Sequence, residues 1–187
     1  MNKKPILPNS ISKINVIGTS GSGKSTFAKK LSEALKCSYI EMDKIFWGPN
    51  WKWPSDEEFF GKLRKALSEP RWVLDGNYTR TIPIKWESVE LVIWLDYSFS
   101  RTLFQAIRRA ALRAWSKEEL WEGTGNRESF RKSFFSKESI IWWTITTHGK
   151  VRKKYESYMV DSKYSHIKFV RLRNHKEAEE FLKKLKL

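Results

Sequence analysis

The sequence contains a single cysteine, Cys37, in 187 residues, so no disulfide can form within the chain. Long apolar runs are also missing, since the longest, residues 140–145, is far shorter than the roughly 20 residues that cross a bilayer. No apolar segment typical of a secretory leader follows the start. We therefore expect a cytoplasmic protein, and we interpret Cys37 as a small residue at a helix end rather than a reactive thiol.

Acidic residues are scarce relative to basic ones. The chain has 36 lysines and arginines against 21 aspartates and glutamates, which gives a formal net charge of +15. This charge favours polyanionic partners such as nucleotides, and nucleic acid or acidic lipid are alternatives on charge alone. Signatures of zinc fingers, RNA-recognition motifs and basic zippers are absent from the sequence, as are internal repeats.

The length of the chain limits its domain organisation. With 40% hydrophobic residues it can bury one proper core, but a second full domain would not fit. Pro5 and Pro8 lie among polar residues, which predicts a flexible tail over residues 1–12. Residues 13–187 would then form a single domain.

Short apolar segments alternate with helical patterns along this domain, which is typical of an α/β protein with a parallel sheet. Five strands are predicted, at residues 14–17, 38–42, 72–74, 91–95 and 167–172. Ser55 and Glu58 form a capping-box pattern that predicts the start of a helix, and Pro70 ends it. Asn174 and Glu177 likewise predict the start of the last helix.

The most informative segment, residues 18–25, is Gly-Thr-Ser-Gly-Ser-Gly-Lys-Ser and follows the first predicted strand. It matches the pattern G-x-x-x-x-G-K-[ST], in which glycines let backbone amides turn toward phosphate oxygens at a helix N-terminus. We therefore predict a nucleoside triphosphate site in which Lys24 reaches the outer phosphates and Ser25 coordinates Mg²⁺. The predicted binding residues are Gly18, Ser20, Gly21, Ser22, Gly23, Lys24, Ser25 and Thr26.

A cationic helix is predicted after the fourth strand. Its apolar residues share one face, and four arginines fall on the opposite face: Arg101, Arg108, Arg109 and Arg113. Residues 116–164 continue in a helical pattern that Gly-Thr-Gly-Asn at 123–126 interrupts. We interpret this region as a helical lid, because phosphoryl transfer needs mobile cations that close over the phosphates and exclude water. The alternative for each arginine is a solvated helix face.

Three aspartates follow predicted strands: Asp43, Asp75 and Asp96. Ligands of open parallel sheets bind at the carboxyl edge, so all three could lie near the phosphate loop. A carboxylate there can hold Mg²⁺ or accept a proton from an attacking hydroxyl. Capping of a helix or turn is the alternative for each, most of all for Asp96.

Residues 74–83, Leu-Asp-Gly-Asn-Tyr-Thr-Arg-Thr-Ile-Pro, resemble the adenylate kinase segment L-D-G-F-P-R-T with one residue inserted. Together with the phosphate loop, residues 47–53, residues 94–96 and the pair at 142–143, they make the chain similar to the bacterial DNA topology modulation proteins, a branch of the adenylate-kinase-like P-loop proteins. The resemblance implies a three-layer α/β P-loop NTPase fold of the nucleoside-monophosphate-kinase type. Its five-stranded parallel sheet would have the order 2-3-1-4-5 and carry a helical lid.

The resemblance also implies roles for individual residues. Asp75 would assist Ser25 in holding Mg²⁺, and Arg80 would grip the phosphate of the acceptor. The lid cations would come from Arg101, Arg108, Arg109 and Arg113, with Arg127 or Arg131. In such kinases the adenine lies against the loop before the last helix, here residues 173–176, so Arg173 is predicted to contact the nucleotide.

Residues 41–53 depart from the adenylate kinase pattern and resemble the acceptor side of shikimate and gluconate kinases, in which an aspartate handles substrate hydroxyls. Asp43 is therefore predicted to orient or deprotonate an acceptor other than AMP. Trp47, Trp51 and Trp53 either line this acceptor pocket or pack in the ordinary way.

These observations predict an ATP- and Mg²⁺-dependent phosphotransferase that acts on a small hydroxyl- or phosphate-bearing acceptor. Its predicted catalytic residues are Lys24, Asp43, Arg80, Arg109 and Arg113. One alternative is a nucleotide-gated nucleic-acid binder, which the charge and the family name favour, and another is an ATPase that regulates a partner protein. We expect no membrane partner, and the sequence leaves the acceptor and the oligomeric state open.

Overall fold

The computed structural model describes residues 11–116, 118–127 and 139–185. Most of the predicted tail, the part of the predicted lid at 128–138 and the candidate Arg131 lie outside the described residues. Ser12, at the end of the predicted tail, donates its backbone N–H (2.6 Å) and its hydroxyl (3.1 Å) to Glu90 Oε2.

Five parallel strands form one sheet in the order β2-β3-β1-β4-β5, which confirms the predicted topology. The strands are β1 (Lys13–Gly18), β2 (Ser38–Glu41), β3 (Trp72–Asp75), β4 (Leu91–Leu95) and β5 (Lys168–Leu172). In the register of the sheet, Asp75 lies beside both Val16 and Glu41, and Leu95 lies beside Gly18. The carboxyl ends of four strands therefore meet at one edge.

Seven α-helices connect and cover the strands within the described part of the chain. They are α1 (Lys24–Leu35), α2 (Met42–Phe46), α3 (Asp56–Leu67), α4 (Ile82–Lys85), α5 (Phe99–Ser116), α6 (Ile140–Val160) and α7 (His175–Leu185). Both predicted caps are present, since Ser55 Oγ accepts the Glu58 N–H (3.2 Å) and Asn174 Oδ1 accepts the Glu177 N–H (2.9 Å). Glu177 in turn accepts hydrogen bonds from the Asn174 side chain and the Arg173 N–H, which fix the residues before the helix to its first turn.

Two apolar clusters lie on opposite faces of the sheet because side chains alternate along each strand. One contains Ile14, Val16 and Ile93 together with side chains of α1 and α7. The other contains Ile17 and Trp94 together with side chains of α3 and α6. Helices therefore cover both faces, which gives the predicted three layers.

Helix α6 is fixed to the sheet by a buried carboxylate. Asp96, just after β4, accepts hydrogen bonds from Arg152 Nε (2.8 Å) on α6 and from Arg171 Nη2 (2.6 Å) on β5. Asp96 is thus an ion-pair anchor for α6, a role different from the capping that we considered for it.

No helix among the described residues is long and apolar enough to cross a membrane.

Candidate functional site

The loop between β1 and α1 has the backbone that the glycine-rich pattern predicts. Gly21 and Gly23 have φ angles of 85° and 82°, in the left-handed region where glycine is favoured. A Cβ at Gly18 would lie 2.5 Å from Ser22 Oγ and 2.9 Å from the Leu95 carbonyl oxygen. Only glycine fits at that position, so the loop closes tightly against the end of β4.

Lys24 is the first residue of α1, and Ser25 and Thr26 follow it in the exposed first turn. The first amides of a helix have no partners within the helix, and the helix dipole adds positive potential there. The Lys24 ammonium group adds a full charge at the same end. This end of α1 therefore has the chemistry of an anion site.

An open cavity of about 510 Å³ lies between this helix end and α5. Residues of the loop and of the first turn of α1 form one side, and Arg108, Arg109 and Arg113 line the other. Arg109 Nη2 donates to Ser20 Oγ at 3.0 Å. The structure therefore brings three of the predicted lid cations, Arg108, Arg109 and Arg113, to the cavity beside the phosphate loop, whereas Arg101 stacks over the Tyr97 ring at 5.8 Å.

Asp75 ends β3 next to the loop and is 3% exposed. Its Oδ2 atom accepts a hydrogen bond from the Tyr39 hydroxyl (3.2 Å), whereas Oδ1 has no hydrogen-bond partner among the described residues. Burial raises the pKa of Asp75, and the charge of Lys24 and the nearby Ser25 hydroxyl oppose this shift. A buried carboxylate oxygen beside a serine hydroxyl suits a hard cation.

Mg²⁺ fits this pair of residues. Mg²⁺ is usually held by one or two protein oxygens, with phosphates and water completing its shell. The described residues contain no cluster of three or more acidic, histidine or cysteine side chains that would form a complete metal cage. Ser25 and Asp75 would therefore hold the ion together with the phosphates of a nucleotide.

Two further carboxylates lie on the side of Asp75 away from the loop. Asp43, in α2, accepts a hydrogen bond from the Tyr78 hydroxyl at 2.8 Å. Glu41 ends β2 and accepts a hydrogen bond from Trp121 Nε1 at 3.2 Å. Burial raises the pKa of Glu41, and the charges of Asp75 and Asp43 raise it further. The sequence pointed to Asp43, but the half-buried Glu41 was missed.

Two predicted site residues do not line the cavity between the phosphate loop and α5. Arg80 Nη1 pairs with Asp56 Oδ1 at 2.8 Å, and its guanidinium lies over the Phe46 and Phe59 rings. Arg173 is exposed, and its backbone N–H donates to Glu177. Neither arginine is among the described residues that line the cavity of about 510 Å³.

Comparisons with solved structures bear on the fold. A shikimate kinase from Acinetobacter baumannii, in complex with shikimate, matches over 95% of this chain and 92% of its own, with a TM-score of 0.53 and 14% sequence identity. The chain has a P-loop kinase fold. An unliganded sugar kinase from Janibacter sp. HTCC2649 matches over 93% of this chain and 91% of its own, with a TM-score of 0.46 and 14% sequence identity. No family profile and no curated protein matches the sequence.

Within this P-loop kinase fold, two asparagines hold the site together, and the sequence analysis assigned no role to either. Asn77 Oδ1 accepts the Gly18 N–H at 3.1 Å, and its Nδ2 donates to the Gly18 carbonyl oxygen. Asn126 bridges residues of the 118–127 segment to residues 48–51 and is fully buried. The Gly-Thr-Gly-Asn sequence at 123–126 was the available signal for the second residue, but it indicated only an interruption of the helical pattern.

Proposed function

We propose that this protein is an ATP- and Mg²⁺-dependent phosphotransferase that acts on a small acceptor. The observation that carries the proposal is the cavity of about 510 Å³, in which the phosphate loop and Lys24 face the arginines of α5. Three carboxylates lie beside it at the carboxyl edge of the sheet, where acceptors of open α/β sheets bind. The P-loop kinase fold supports the same activity.

Each residue has a distinct role in this proposal. The loop amides and Lys24 bind the β- and γ-phosphates, and Ser25 and Asp75 hold Mg²⁺, which supplies charge neutralisation at those oxygens. Arg109 and Arg113 stabilise the charge that develops on the transferred group. Asp43, oriented by the Tyr78 hydroxyl, accepts the proton of the attacking acceptor hydroxyl. Arg173 is proposed to contact the base, as the resemblance implies.

The finer assignment, to the bacterial DNA topology modulation proteins, is part of the proposal. It rests on the sequence of residues 74–83 and on the tryptophan-rich residues 47–53. That family name describes an effect on DNA, whereas the site geometry supports chemistry on a small acceptor. We therefore give the phosphotransferase activity priority over the name, and we propose a cytoplasmic location for it.

Calorimetry of ATP with Mg²⁺ tests the nucleotide site. Lys24→Ala removes the ammonium group and should weaken ATP binding by about 10- to 100-fold, because hydrogen bonds to charged groups contribute roughly 1.5–3 kcal/mol. Lys29→Ala, on the exposed side of α1, removes the same charge away from the loop and serves as the matched control. Equal affinities for the two variants would contradict the nucleotide site.

A nucleotide-gated nucleic-acid binder is the second candidate. It is favoured by the net charge of +15 and by the exposed Arg101, Arg108 and Trp115 on α5. Such a protein would bind duplex DNA at physiological salt, and its affinity would fall steeply as salt increases. Absence of binding at physiological salt would exclude this candidate.

A further inference from the structure

We propose that the phosphoryl acceptor is a polyhydroxylated compound with no anionic group, either a neutral sugar or cyclitol or one that carries an amine. This inference rests on the phosphotransferase function proposed above. It concerns the acceptor side of the site, where the carboxyl ends of β2 and β3 meet a group of indole rings. Four features of that side support the inference: its carboxylates, the ion pairing of its arginines, its tryptophans and the segment that positions the tryptophans.

Three carboxylates converge on the acceptor side. Glu41 and Asp75 are neighbours in the sheet register, and the charge of Asp43 acts on both of them. Asp75 is 3% exposed, and the charges of Lys24 and Asp43 both act on it. With Asp75 holding Mg²⁺, Glu41 and Asp43 are the carboxylates that accept hydrogen bonds from hydroxyl or ammonium donors, and they repel a carboxylate or phosphate on the acceptor.

Two arginines near the acceptor side already interact with acidic side chains. Arg80, which the sequence suggested as the grip for an acceptor phosphate, forms an ion pair with Asp56 at 2.8 Å. Its guanidinium also lies 5.0 Å from the centre of the Phe46 ring and 5.3 Å from that of Phe59. Arg113 lines the nucleotide cavity and acts on the charge of Glu41. An anionic acceptor would thus meet these carboxylates, whereas Arg80 and Arg113 already interact with acidic side chains.

Tryptophans form a wall beside the carboxylates. The rings of Trp47 and Trp51 lie 5.5 Å apart, Trp51 and Trp121 lie 6.0 Å apart, and Trp47 and Trp53 lie 6.4 Å apart, all edge to face. Trp121 also donates its indole N–H to Glu41, which joins the wall to the carboxylates. Indole rings next to hydrogen-bond acceptors suit the saturated ring of a sugar or cyclitol. The C–H bonds of such a ring form an apolar face, and its hydroxyl groups lie around the edge. The wall also suits an ammonium group, which both carboxylates and aromatic rings attract.

The tryptophan wall is held by a turn with an uncommon backbone conformation. Asn50 and Trp51 have positive φ angles of 56° and 59°, which are uncommon for residues other than glycine. Asn126 stabilises this turn, because its Oδ1 accepts the Trp51 N–H (2.7 Å) and its Nδ2 donates to the Gly48 carbonyl (2.9 Å). The Thr124 carbonyl accepts the Asn50 N–H at 3.2 Å. Backbone strain of this kind concentrates at ligand sites, and here it sets the position of an indole ring.

The proposed transfer conserves atoms and charge. The hydroxyl oxygen of the acceptor forms a bond to the γ-phosphorus while the bond from that phosphorus to the β–γ bridging oxygen breaks. ADP leaves with the bond electrons, and the hydroxyl proton passes to Asp43. The products are ADP and a phosphate monoester of the polyol.

ADP formation with defined acceptors tests the inference. The panel consists of D-glucose, myo-inositol and D-glucosamine on one side and D-glucuronate, shikimate and AMP on the other. Glucose and glucuronate share the pyranose ring and differ by a carboxylate, and glucose and glucosamine differ by an amine, so each pair changes one charge. We expect at least one of the first three to raise ADP formation about tenfold or more and to gain one phosphate by mass spectrometry, with no response to the anionic compounds.

The outcomes separate this inference from the function on which it rests. Phosphorylation of an anionic compound in place of the polyols would overturn the inference and leave the phosphotransferase function intact. ATP binding that depends on Lys24, with no response to any of the three polyols, would also overturn it. Absence of ATP binding would instead overturn the proposed function itself.

Variants of the wall provide a second measurement. Trp51→Ala should raise KM for the polyol about tenfold with KM for ATP unchanged, because an aromatic contact is lost only on the acceptor side. Trp51→Phe, which keeps a ring, should recover most of the affinity. Trp115→Ala removes an indole that is 89% exposed on α5 and should leave both constants unchanged. A Trp51→Ala variant with unaltered KM for the polyol would contradict the role of the wall.

Discussion

The side chain of Lys85 lies inside the protein, where its Nζ donates a hydrogen bond of 3.2 Å to the carbonyl oxygen of Gly76. Lys85 is 1% exposed, and burial lowers its pKa from 10.5 to about 7, with a smaller contribution from the charge of Lys154. Gly76 directly follows Asp75, so this amine supports the backbone beneath the proposed metal site. A charged group at this position has a cost in stability that depends on pH.

Lys85→Met should therefore change the pH dependence of stability. The unfolded chain binds the lysine proton below pH 10.5 and the folded protein only below about 7, so wild-type stability rises with pH between these values. The contribution should amount to about 2 kcal/mol between pH 7 and pH 9. Urea unfolding at both pH values measures it. The variant should lose most of this rise, and an equal rise in both proteins would contradict the assignment to Lys85.

Asn77 offers a test of how the phosphate loop is held. Asn77→Ala removes both hydrogen bonds to the Gly18 backbone and should cost about 1–3 kcal/mol of stability. We also expect ATP binding to weaken, since Gly18 is the entry to the loop. Ser55→Ala, which removes the cap of α3, should cost about 1 kcal/mol with unchanged ATP affinity. If both variants lose ATP affinity in proportion to their loss of stability, the result would argue against a specific role for Asn77.

Asp96→Asn should destabilise the protein without touching the phosphate loop. The carboxylate is buried, and its neutralisation leaves Arg152 without this partner and Arg171 with only the exposed Glu156. We expect a loss of about 3 kcal/mol, at the low end for a broken buried pair because the arginines are partly exposed. Glu156→Gln, at the exposed partner of Arg171, should cost less than about 1 kcal/mol. Similar losses in urea unfolding would refute the buried-anchor interpretation.

Asp43→Asn tests the proposed general base. With an accepted polyol, kcat should fall about 100-fold and KM for ATP should stay constant, because the amide cannot take up the hydroxyl proton. Tyr78→Phe removes the hydroxyl that orients Asp43 and should give a smaller decrease. Glu57→Gln, an exposed change in α3, is the control for lost negative charge. A near-normal kcat for Asp43→Asn would remove its catalytic role.

The fold and the phosphate loop could be predicted because their signals are local. The five strands appear as short apolar segments, and the loop is a contiguous pattern in which glycines at 21 and 23 supply the positive φ angles. The caps at Ser55 and Asn174 likewise involve residues three positions apart. Such features depend on the stereochemistry of neighbouring residues, so tertiary packing leaves them unchanged.

The contacts that complete the site could not be predicted because they join distant residues. Asn77 and Gly18 are 59 positions apart, and Asn126 and Trp51 are 75 positions apart. Arg80 illustrates the same limit, because its ion pair with Asp56 joins residues 24 positions apart and has no signal in the local sequence. A sequence pattern identifies which chemical groups are present, whereas the hydrogen-bond and ion-pair partners of those groups depend on tertiary packing.

The close approach of Gly21 to α5 has a mechanical consequence. A Cβ at Gly21 would lie 2.8 Å from the Thr102 carbonyl oxygen and 3.0 Å from Ala106 Cβ, so α5 rests directly on the loop backbone. We therefore expect the first half of α5 to move together with the loop. A hinge that admits or releases nucleotide is then expected further along the chain, beyond this contact.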